Sequence, residues 1–157
     1  MMAKPDRHLI PQSPDFRERV QESFARQKVM ATLGAKLHQV LPGLVEIEIP
    51  FQDDLTQQHG FLHAGIITTV VDSACGYAAY SLMPPAASVL TVEYKANFLS
   101  PAKGTRFLAR GIVVKAGRTL TICSGEVFAV TDAGDKLVAT MSATMMTLVG
   151  QSHVSPG

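Results

Sequence analysis

Hydrophobic side chains near the N-terminus recur with the period of a helix. The pair Ser13-Pro14 is typical of a helix start with proline at the first helical position, and Gly34 can end a helix that reaches about residue 33. Between these points large apolar residues stand at every fourth position, namely Phe16, Val20 and Phe24. The pattern predicts one amphipathic helix, preceded by a flexible polar tail over residues 1–12.

Most of the remaining chain has the character of β-strands. A hairpin is predicted from residues 36–41 and 44–50, because Pro42-Gly43 separates two runs and glutamate alternates with valine and isoleucine in the second. Turn-forming residues divide the C-terminal half into four further strands, at residues 88–99, 105–115, 120–131 and 136–148. Strands joined by such short connections are expected to pair as antiparallel neighbours.

One mostly apolar segment, residues 64–83, interrupts the strands and carries a single charge, Asp72. Its length matches a membrane span, but it contains many small or polar residues, and an acid at its centre would be costly in lipid. The composition therefore favours a buried core helix. Pro84-Pro85 ends this helix, and an aperiodic polar loop over residues 51–62 leads into it.

These elements predict an α+β domain in which a long central helix is wrapped by a curved antiparallel β-sheet, with an extra helix at the N-terminus. A strand of eleven residues spans about 36 Å and a helix of twenty about 30 Å, so the sheet can cover the helix along its length. An open sheet has edge strands, and pairing of two copies edge to edge would remove one of them. We therefore expect self-association.

Composition and charge narrow the classes of function. The chain has 157 residues, which suits one domain, here residues 13–149, followed by a short tail at residues 150–157. Its 14 basic and 13 acidic residues give a net charge of +1, which argues against a general nucleic-acid binder. Two cysteines, Cys75 and Cys123, suit a reducing compartment rather than a disulfide scaffold. The first residues lack the apolar run of a signal peptide, so we expect a cytoplasmic protein.

Asp72 is the first candidate for chemistry, because a lone carboxylate in an apolar helix needs a partner or a task. One interpretation is structural: the carboxylate pairs with a nearby hydroxyl, such as that of Thr68 or Ser73. The other is functional: it faces a pocket as a base or nucleophile. Both stay open on the pattern alone.

The residues at the start of the long helix form a second candidate. Two histidines, an amide and small residues lie there, namely Gln57, His59, His63, Ala64 and Gly65. A helix N-terminus presents free N–H groups and partial positive charge, which suit a carbonyl oxygen that becomes an oxyanion. Two other interpretations stay open: a turn capped by a histidine, and a metal site at the histidines, for which no third ligand is evident.

The two candidates constrain each other. Ala64 and Asp72 are eight residues apart, which is about 12 Å along one helix. A helix cannot hold a carbonyl at its N-terminus while its own Asp72 attacks that carbonyl from this distance. If both groups act on one substrate, they come from different copies of the chain, and the site is composite.

A run of six basic residues without an acid is the third candidate. It contains Lys95, Lys103, Arg106, Arg110, Lys115 and Arg118. The run is either a solvated sheet face or a surface for a small polyanionic group such as a nucleotide phosphate. Arg118 in a turn and Arg106 near a strand start are the best placed for the second role. The two cysteines have no histidine or acid at a spacing that suggests a nucleophile.

With these residues identified, the sequence resembles the PaaI-type acyl-CoA thioesterases of the hotdog-fold superfamily over about residues 26–147. The similarity lies in Gln57-x5-His63-Ala64-Gly65-x6-Asp72, in TVEYKANFLSPA at residues 91–102 and in KAGRTL at residues 115–120. The resemblance implies the hotdog fold and dimers that pair edge to edge and often assemble into tetramers.

The resemblance also implies roles for individual residues. Asp72 matches the acid that serves as general base or nucleophile toward the thioester carbonyl. The backbone N–H of Ala64, or of Gly65 beside it, would polarise that carbonyl from the other protomer's helix. His63 matches the histidine that precedes this position, and Thr91 matches a serine or threonine that helps to place the attacking water.

Two positions depart from the family. Gln57 stands where asparagine is common, and its side chain is one methylene longer. Ala64 replaces the first glycine of a His-Gly-Gly motif, which leaves a backbone donor in place unless the position needs positive φ.

The implied activity is hydrolysis of a small aryl- or short- to medium-chain acyl-CoA, without metal or redox cofactor and with coenzyme A as part of the substrate. Basic residues would hold the phosphates (Lys103, Arg106, Arg110 and Arg118), and one helix face would line the acyl pocket (Ile67, Val71, Ala74 and Ala78). Neither a nucleic acid nor a membrane is expected as a partner. Two alternatives on this fold stay open: a non-catalytic acyl-CoA binding or sensor protein, and a dehydratase that uses His63. The segment at residues 91–102 favours the thioesterase.

Overall fold

The structure, a computed structural model, describes residues 9–150. Its elements are α1 (Phe16–Arg26), α2 (Lys28–Thr32), β1 (Lys36–Leu41), β2 (Leu44–Pro50), α3 (Ala64–Tyr80), β3 (Ala87–Phe98), β4 (Arg106–Ala116), β5 (Leu120–Thr131) and β6 (Gly134–Val149). The predicted polar loop before α3 contains a 3-10 turn, Asp53–Leu55. Parts of both predicted tails, residues 1–8 and 151–157, lie outside the described range.

The six strands form one antiparallel sheet in the order β1-β2-β4-β5-β6-β3, and α3 packs against five of them, β2 through β6. The arrangement confirms the predicted α+β architecture, in which a curved sheet wraps a long helix and a further helix stands at the N-terminus. The apolar residues of the two layers form a continuous core around α3.

Two glycines let α3 approach the sheet closely. A Cβ atom added at Gly111 would lie 2.3 Å from the backbone carbonyl carbon of Ala74, and one at Gly125 would lie 2.5 Å from Val71 Cγ2. Gly111 and Gly125 are cross-strand partners on β4 and β5. A residue with a side chain at either position would push the helix outward. The pair therefore sets the distance between the sheet and the part of α3 that carries Asp72.

The prediction that β3 and β4 are neighbours is wrong. β3 pairs with β6, whereas β4 lies between β2 and β5. Their connection, residues 99–105, passes over the start of α3, where the Leu62 N–H donates to the Ala102 carbonyl at 3.2 Å. The segment is also fixed to β6, because the Leu99 N–H donates to the Val138 carbonyl at 2.9 Å. The crossing places β3 at an edge of the sheet.

The predicted single N-terminal helix is interrupted at Gln27, whose backbone is extended with φ −79° and ψ 97°. The Gln27 side chain accepts a hydrogen bond from the Ser73 hydroxyl at 3.1 Å, so the break lets this residue reach α3. The helix also begins later than predicted: Asp15 occupies the N-cap position, and its carboxylate accepts a hydrogen bond from Ser13. A local hydroxyl–carboxylate contact here replaces the expected first turn.

Contacts from α1 hold the C-terminal half of α3. The rings of Phe24 and Tyr77 meet edge to face with centroids 6.0 Å apart, and the Arg19 guanidinium lies 4.7 Å from the centre of the Tyr80 ring. α3 ends at Tyr80, before the predicted end at residue 83. Neither α3 nor any other helix between residues 9 and 150 is long and apolar enough to cross a membrane.

Candidate active site

His63 caps the N-terminus of α3. Its backbone is extended, with φ −61° and ψ 138°, and its Nδ1 atom accepts a hydrogen bond from the Gly65 N–H at 2.8 Å. A ring nitrogen that accepts a hydrogen bond carries no proton, so this contact requires a neutral imidazole with its proton on Nε2. The histidine-capped turn considered from the sequence is therefore the local structure at His63.

The cap changes which backbone donor is available to a ligand. Because the Gly65 N–H is bonded to His63, and the carbonyl of His63 accepts the N–H groups of Ile66 and Ile67, these donors of the first turn are occupied. No hydrogen bond among the described residues uses the Ala64 N–H. Of the two donors proposed from the sequence, Ala64 is the one left available.

An apolar cavity of about 340 Å³ opens beside this donor. Ala64 lines it together with residues from α3, the loop before α3, the end of β3, the crossing segment after β3, and β6. These residues are Gln57, Phe61, Leu62, Ile67, Phe98, Ser100, Pro101, Ala102 and Val138. Such a volume is within the range of small-molecule sites in proteins. The cavity therefore places apolar walls beside Ala64, the residue that carries the unused N–H at this helix N-terminus.

Gln57 is the main polar side chain at this cavity. It begins a tight turn in which the Gly60 N–H donates to the Gln57 carbonyl at 2.9 Å, and Gly60 has a φ of 80° that favours glycine. The Gln57 side-chain oxygen accepts the His59 N–H. This leaves the amide NH₂ group of Gln57 available to a ligand.

Asp72 lies two turns along α3 and contacts the edge strand β3. The Thr91 hydroxyl donates a hydrogen bond to Asp72 Oδ1 at 2.8 Å. Burial raises the pKa of the Asp72 carboxyl, and the hydrogen bond from Thr91 lowers it in part. The local partners considered from the sequence are engaged elsewhere, since Thr68 donates to the Ala64 carbonyl and Ser73 donates to Gln27.

The predicted site residues therefore form two groups in one chain. Gln57 and Ala64 meet at the cavity, while Asp72 and Thr91 meet at the edge of the sheet. Asp72 is not among the residues that line the cavity. Val71, predicted to contact substrate, is buried with its side chain against Gly125, and of the proposed acyl-binding face Ile67 alone lines the cavity.

The histidines do not converge on a common point with acids or cysteines. His59 is exposed in the turn, and His63 is committed to the helix cap. Within residues 9–150 there is no group of three or more His, Cys, Asp or Glu side chains arranged to hold a metal ion. Both cysteines are buried, and burial raises the pKa of Cys123 to about 12.

The basic run divides into paired and unpaired residues. Arg106 lies 3.6 Å from Glu48, and Arg110 forms an ion pair with the buried Glu46. Lys103 and Arg118 are exposed and form no ion pair among the described residues. Lys103 follows β3 in the crossing segment, whereas Arg118 lies in the turn between β4 and β5.

Several residues of the cavity were not predicted from the sequence. Phe61, Phe98 and Val138 come from three separate parts of the chain. Phe98 belongs to the segment that carried the family resemblance, so its position was a usable signal. Val138 is indistinguishable from any other strand residue in the sequence, since the crossing of residues 99–105 over α3 is what brings it to the cavity.

Comparison with known proteins gives a consistent result. The model of the thioesterase superfamily matches residues 59–135. A thioesterase family protein from Silicibacter pomeroyi is 58% identical, with 86% of this chain and 99% of that one covered, and has a TM-score of 0.85.

Two more distant structures share the fold. A thioesterase from Haemophilus influenzae is 18% identical, with 94% of this chain and 99% of that one covered, and has a TM-score of 0.77. The Escherichia coli PaaI protein, from the phenylacetic acid degradation operon, is 17% identical, with 89% and 98% covered and a TM-score of 0.78.

Proposed function

This chain belongs to the thioesterase superfamily, and from that membership we propose that it hydrolyses the thioester of a small aryl- or short- to medium-chain acyl-CoA. One observation carries the proposal: Ala64, which has an unused N–H at the positive end of α3, lines an apolar cavity. A thioester needs these two features together, a donor for the carbonyl oxygen and an apolar site for the acyl group.

The Ala64 N–H binds the carbonyl oxygen and donates more strongly as negative charge develops on it. The donor is fixed in the backbone and the helix dipole favours an anion there, so little reorganisation is needed in the transition state. The acyl group occupies the cavity among Phe61, Ile67 and Phe98. A volume of about 340 Å³ supports a compact acyl group, aromatic or of short to medium length.

Asp72 supplies the base or the nucleophile. As a base, its carboxylate takes a proton from water while the water oxygen bonds to the carbonyl carbon, and the protonated acid then returns the proton to the departing thiolate. As a nucleophile, the carboxylate displaces the thiolate and forms an anhydride, which water hydrolyses to regenerate the acid. In both routes the Thr91 hydroxyl holds Oδ1 and leaves Oδ2 for the reaction.

The site is completed by a second copy of the chain. Asp72 lies about 12 Å along α3 from Ala64, too far to act on a carbonyl held there. β3 is an edge strand exposed on both faces over most of its length, and its apolar residues include Leu90, Val92, Tyr94 and Phe98, at 57%, 53%, 49% and 52% exposure. An apolar edge of this kind is suited to pairing with another strand.

Antiparallel pairing of β3 with its copy brings the two halves of the site together. Phe98, which lines the cavity, is the last residue of β3, and Thr91, which contacts Asp72, lies in the other half of the strand. In a pair centred between Tyr94 and Lys95, Thr91 of one copy faces Phe98 of the other. The Asp72 carboxylate of one chain then serves the cavity of its partner, and a dimer of dimers remains compatible with this pairing.

The same pairing gives Arg118 a role. The turn that carries it is fixed beside the start of β3, because the Thr147 N–H donates to the Thr119 carbonyl at 2.8 Å and Thr147 pairs with Val89. In the antiparallel pair, the start of β3 in one chain lies near the end of β3 in the other. The pairing therefore brings this exposed guanidinium toward the partner's cavity. We assign it to the coenzyme A moiety bound there.

Thiol release from a panel of acyl-CoAs, from arylacetyl to C12, tests the proposal. We expect wild type to hydrolyse part of the panel and Asp72→Asn to lose at least about a hundredfold in kcat/KM, which corresponds to about 3 kcal/mol of transition-state stabilisation. Asp54→Asn, an exposed acid in the 3-10 turn, is the matched control and should retain wild-type rates.

Either of two results would contradict the proposal, the first by excluding hydrolysis and the second by excluding Asp72 as its catalytic group. If wild type binds acyl-CoA but releases no thiol from any ester, the chain is a binding or sensor protein. If Asp72→Asn keeps wild-type rates, the acid is not the catalytic group. Hydration of enoyl-CoA without thiol release would instead indicate the dehydratase alternative.

A further inference from the structure

A second cavity, of about 490 Å³, lies between the segment that follows β3 and the turn between β5 and β6. Its polar walls come from two loops that are far apart in sequence, with Lys103 on the first and Lys136 near the start of β6, just after the second. The remaining lining residues are Pro101, Gly104, Thr105, Thr131 and Asp132. Lys136 stands outside the basic run recognised in the sequence, and the fold brings it to Lys103.

The walls of this groove are held by backbone contacts. A Cβ atom at Gly104 would lie 2.9 Å from the Val130 carbonyl oxygen, so only glycine allows the first loop to pass so close to β5. The Thr131 hydroxyl donates to the Gly134 carbonyl at 2.7 Å and closes the second loop. The two lysines therefore project from fixed supports.

The charges of the groove favour an anion. Lys103 and Lys136 form no ion pair among residues 9–150, and against them stands the carboxylate of Asp132. Two arginines of the run differ, since Arg106 and Arg110 face Glu48 and Glu46. The groove keeps an excess of positive charge, whereas these two arginines are compensated by acids on β2.

The groove adjoins the apolar cavity. Pro101 lines both, and its segment is fixed on each side by the hydrogen bonds of Leu99 to Val138 and of Leu62 to Ala102. A ligand with an acyl group in the first cavity can thus extend across Pro101 into the second. Such a ligand would carry an apolar end and an anionic end.

We propose that Lys103 and Lys136 bind the phosphate groups at the nucleotide end of the substrate, in the groove beyond Pro101. The assignment rests on the proposed function, because it takes the apolar cavity as the acyl site. It adds Lys136 as a binding residue and excludes Arg106 and Arg110 from phosphate binding. Ammonium groups suit this task because they bind phosphate as mobile point charges with several donors.

Kinetics with two esters of the same acyl group test the groove. One ester carries coenzyme A and the other carries N-acetylcysteamine, which lacks the nucleotide. We expect the ratio of their kcat/KM values, CoA ester over truncated ester, to fall about five- to tenfold in Lys103→Ala and in Lys136→Ala, as for loss of one hydrogen bond of typical strength. Lys36→Ala, an exposed lysine on β1, should leave the ratio at its wild-type value.

Calorimetry supplies a readout that does not depend on turnover. Adenosine 3′,5′-bisphosphate, which carries the phosphates without the acyl end, should bind wild type and the Lys36→Ala protein and bind the double variant of Lys103 and Lys136 at least about tenfold more weakly. Inorganic phosphate serves as the second probe. We expect it to bind much more weakly than the nucleotide.

The outcomes separate the two proposals. If wild type cleaves both esters and the ratio is unchanged in the lysine variants, the groove assignment is overturned and the hydrolase stands. If wild type cleaves neither ester, nor any other member of the acyl-CoA panel, hydrolysis is refuted, and loss of nucleotide binding in the double variant still supports the groove. The groove assignment is overturned if wild type and the double variant bind the nucleotide equally. It is also overturned if wild type binds inorganic phosphate as tightly as the nucleotide.

Discussion

Asp72 is at once the acid that the proposed reaction needs and a group that costs stability when charged. Burial raises its pKa in the folded chain, and the hydrogen bond from Thr91 offsets this only in part. Because the folded-state pKa exceeds that of the unfolded chain, loss of the proton favours unfolding. The stability that protonated Asp72 contributes is complete below about pH 3.9 and is lost as pH rises through the raised pKa.

Asp72→Asn is therefore expected to gain stability relative to wild type as the pH rises, while losing activity. The amide cannot ionise, so the difference in free energy of unfolding should be near constant below about pH 3.9, increase up to the raised pKa and then level off. Urea unfolding of both proteins across this range measures it, with Asp54→Asn as a control that follows wild type. A difference independent of pH would contradict the raised pKa.

At the level of single residues, the sequence identified Asp72 but not its partner. A lone charge in an apolar helix is visible in the sequence itself, and this was enough to select Asp72. The nearby hydroxyls of Thr68 and Ser73 were plausible partners by spacing, yet the bond is made by Thr91, nineteen positions away. Only the family resemblance pointed to Thr91, because a contact between elements leaves no periodic trace.

At the level of elements, the close packing of α3 against the sheet determines the position of Asp72. Gly111 and Gly125 allow β4 and β5 to touch the backbone and side chains of α3 around Ala74 and Val71. Asp72 follows Val71 directly, so any outward shift of the helix would change the distance between its carboxylate and Thr91. The glycines thus act on the site through helix position alone.

Gly111→Ala and Gly76→Ala form a matched pair of variants that tests the role of this close packing. A Cβ at Gly111 would lie 2.3 Å from backbone atoms of Ala74, so we expect a loss of about 1–3 kcal/mol in unfolding free energy and reduced kcat. A Cβ at Gly76, within α3, meets no atom within 4 Å outside the helix's own neighbouring backbone. There alanine should stabilise the helix by about 0.5–1 kcal/mol.

Thermal and urea unfolding, with thiol release beside them, would compare the two variants. Equal stability of Gly111→Ala and wild type would mean that α3 can move outward freely, and the close approach would then have no structural role. Reduced kcat in a folded Gly111→Ala protein would show that helix position matters for the acid.

The elements themselves were predicted more fully than their arrangement. Periodicity located all six strands and the central helix, since each has a continuous pattern and a turn signal at its end. It did not give the position of β3, because the crossing of residues 99–105 depends on hydrogen bonds to Leu62 and Val138. The break at Gln27 was missed for the same reason, as it serves a contact with Ser73.

At the level of the whole molecule, the division of the site between two copies can be tested by mixing. Ala64→Pro removes the backbone donor alone: proline is tolerated at the first helical position, and His63 before it is already extended. Each of Ala64→Pro and Asp72→Asn should be inactive. In a mixed dimer, however, one site contains both defects and the other contains neither.

Unfolding the two variants together and refolding them should therefore restore activity. Random pairing of equal amounts gives half mixed dimers with one intact site each, or about one quarter of wild-type activity per chain. Each variant refolded alone is the control and should stay inactive. An inactive mixture that contains mixed dimers would mean that both groups act within one chain.

Because two chains pair through the exposed edge of β3 in the proposed dimer, the activity per chain depends on the concentration of the protein. If each working site needs two chains, then below the dissociation constant of the pair the rate at fixed substrate rises with the square of the chain concentration. Halving the supply of chain in that regime removes about three quarters of the activity rather than half. Control of synthesis would then set a threshold for thioester hydrolysis, with no effector and no further binding site.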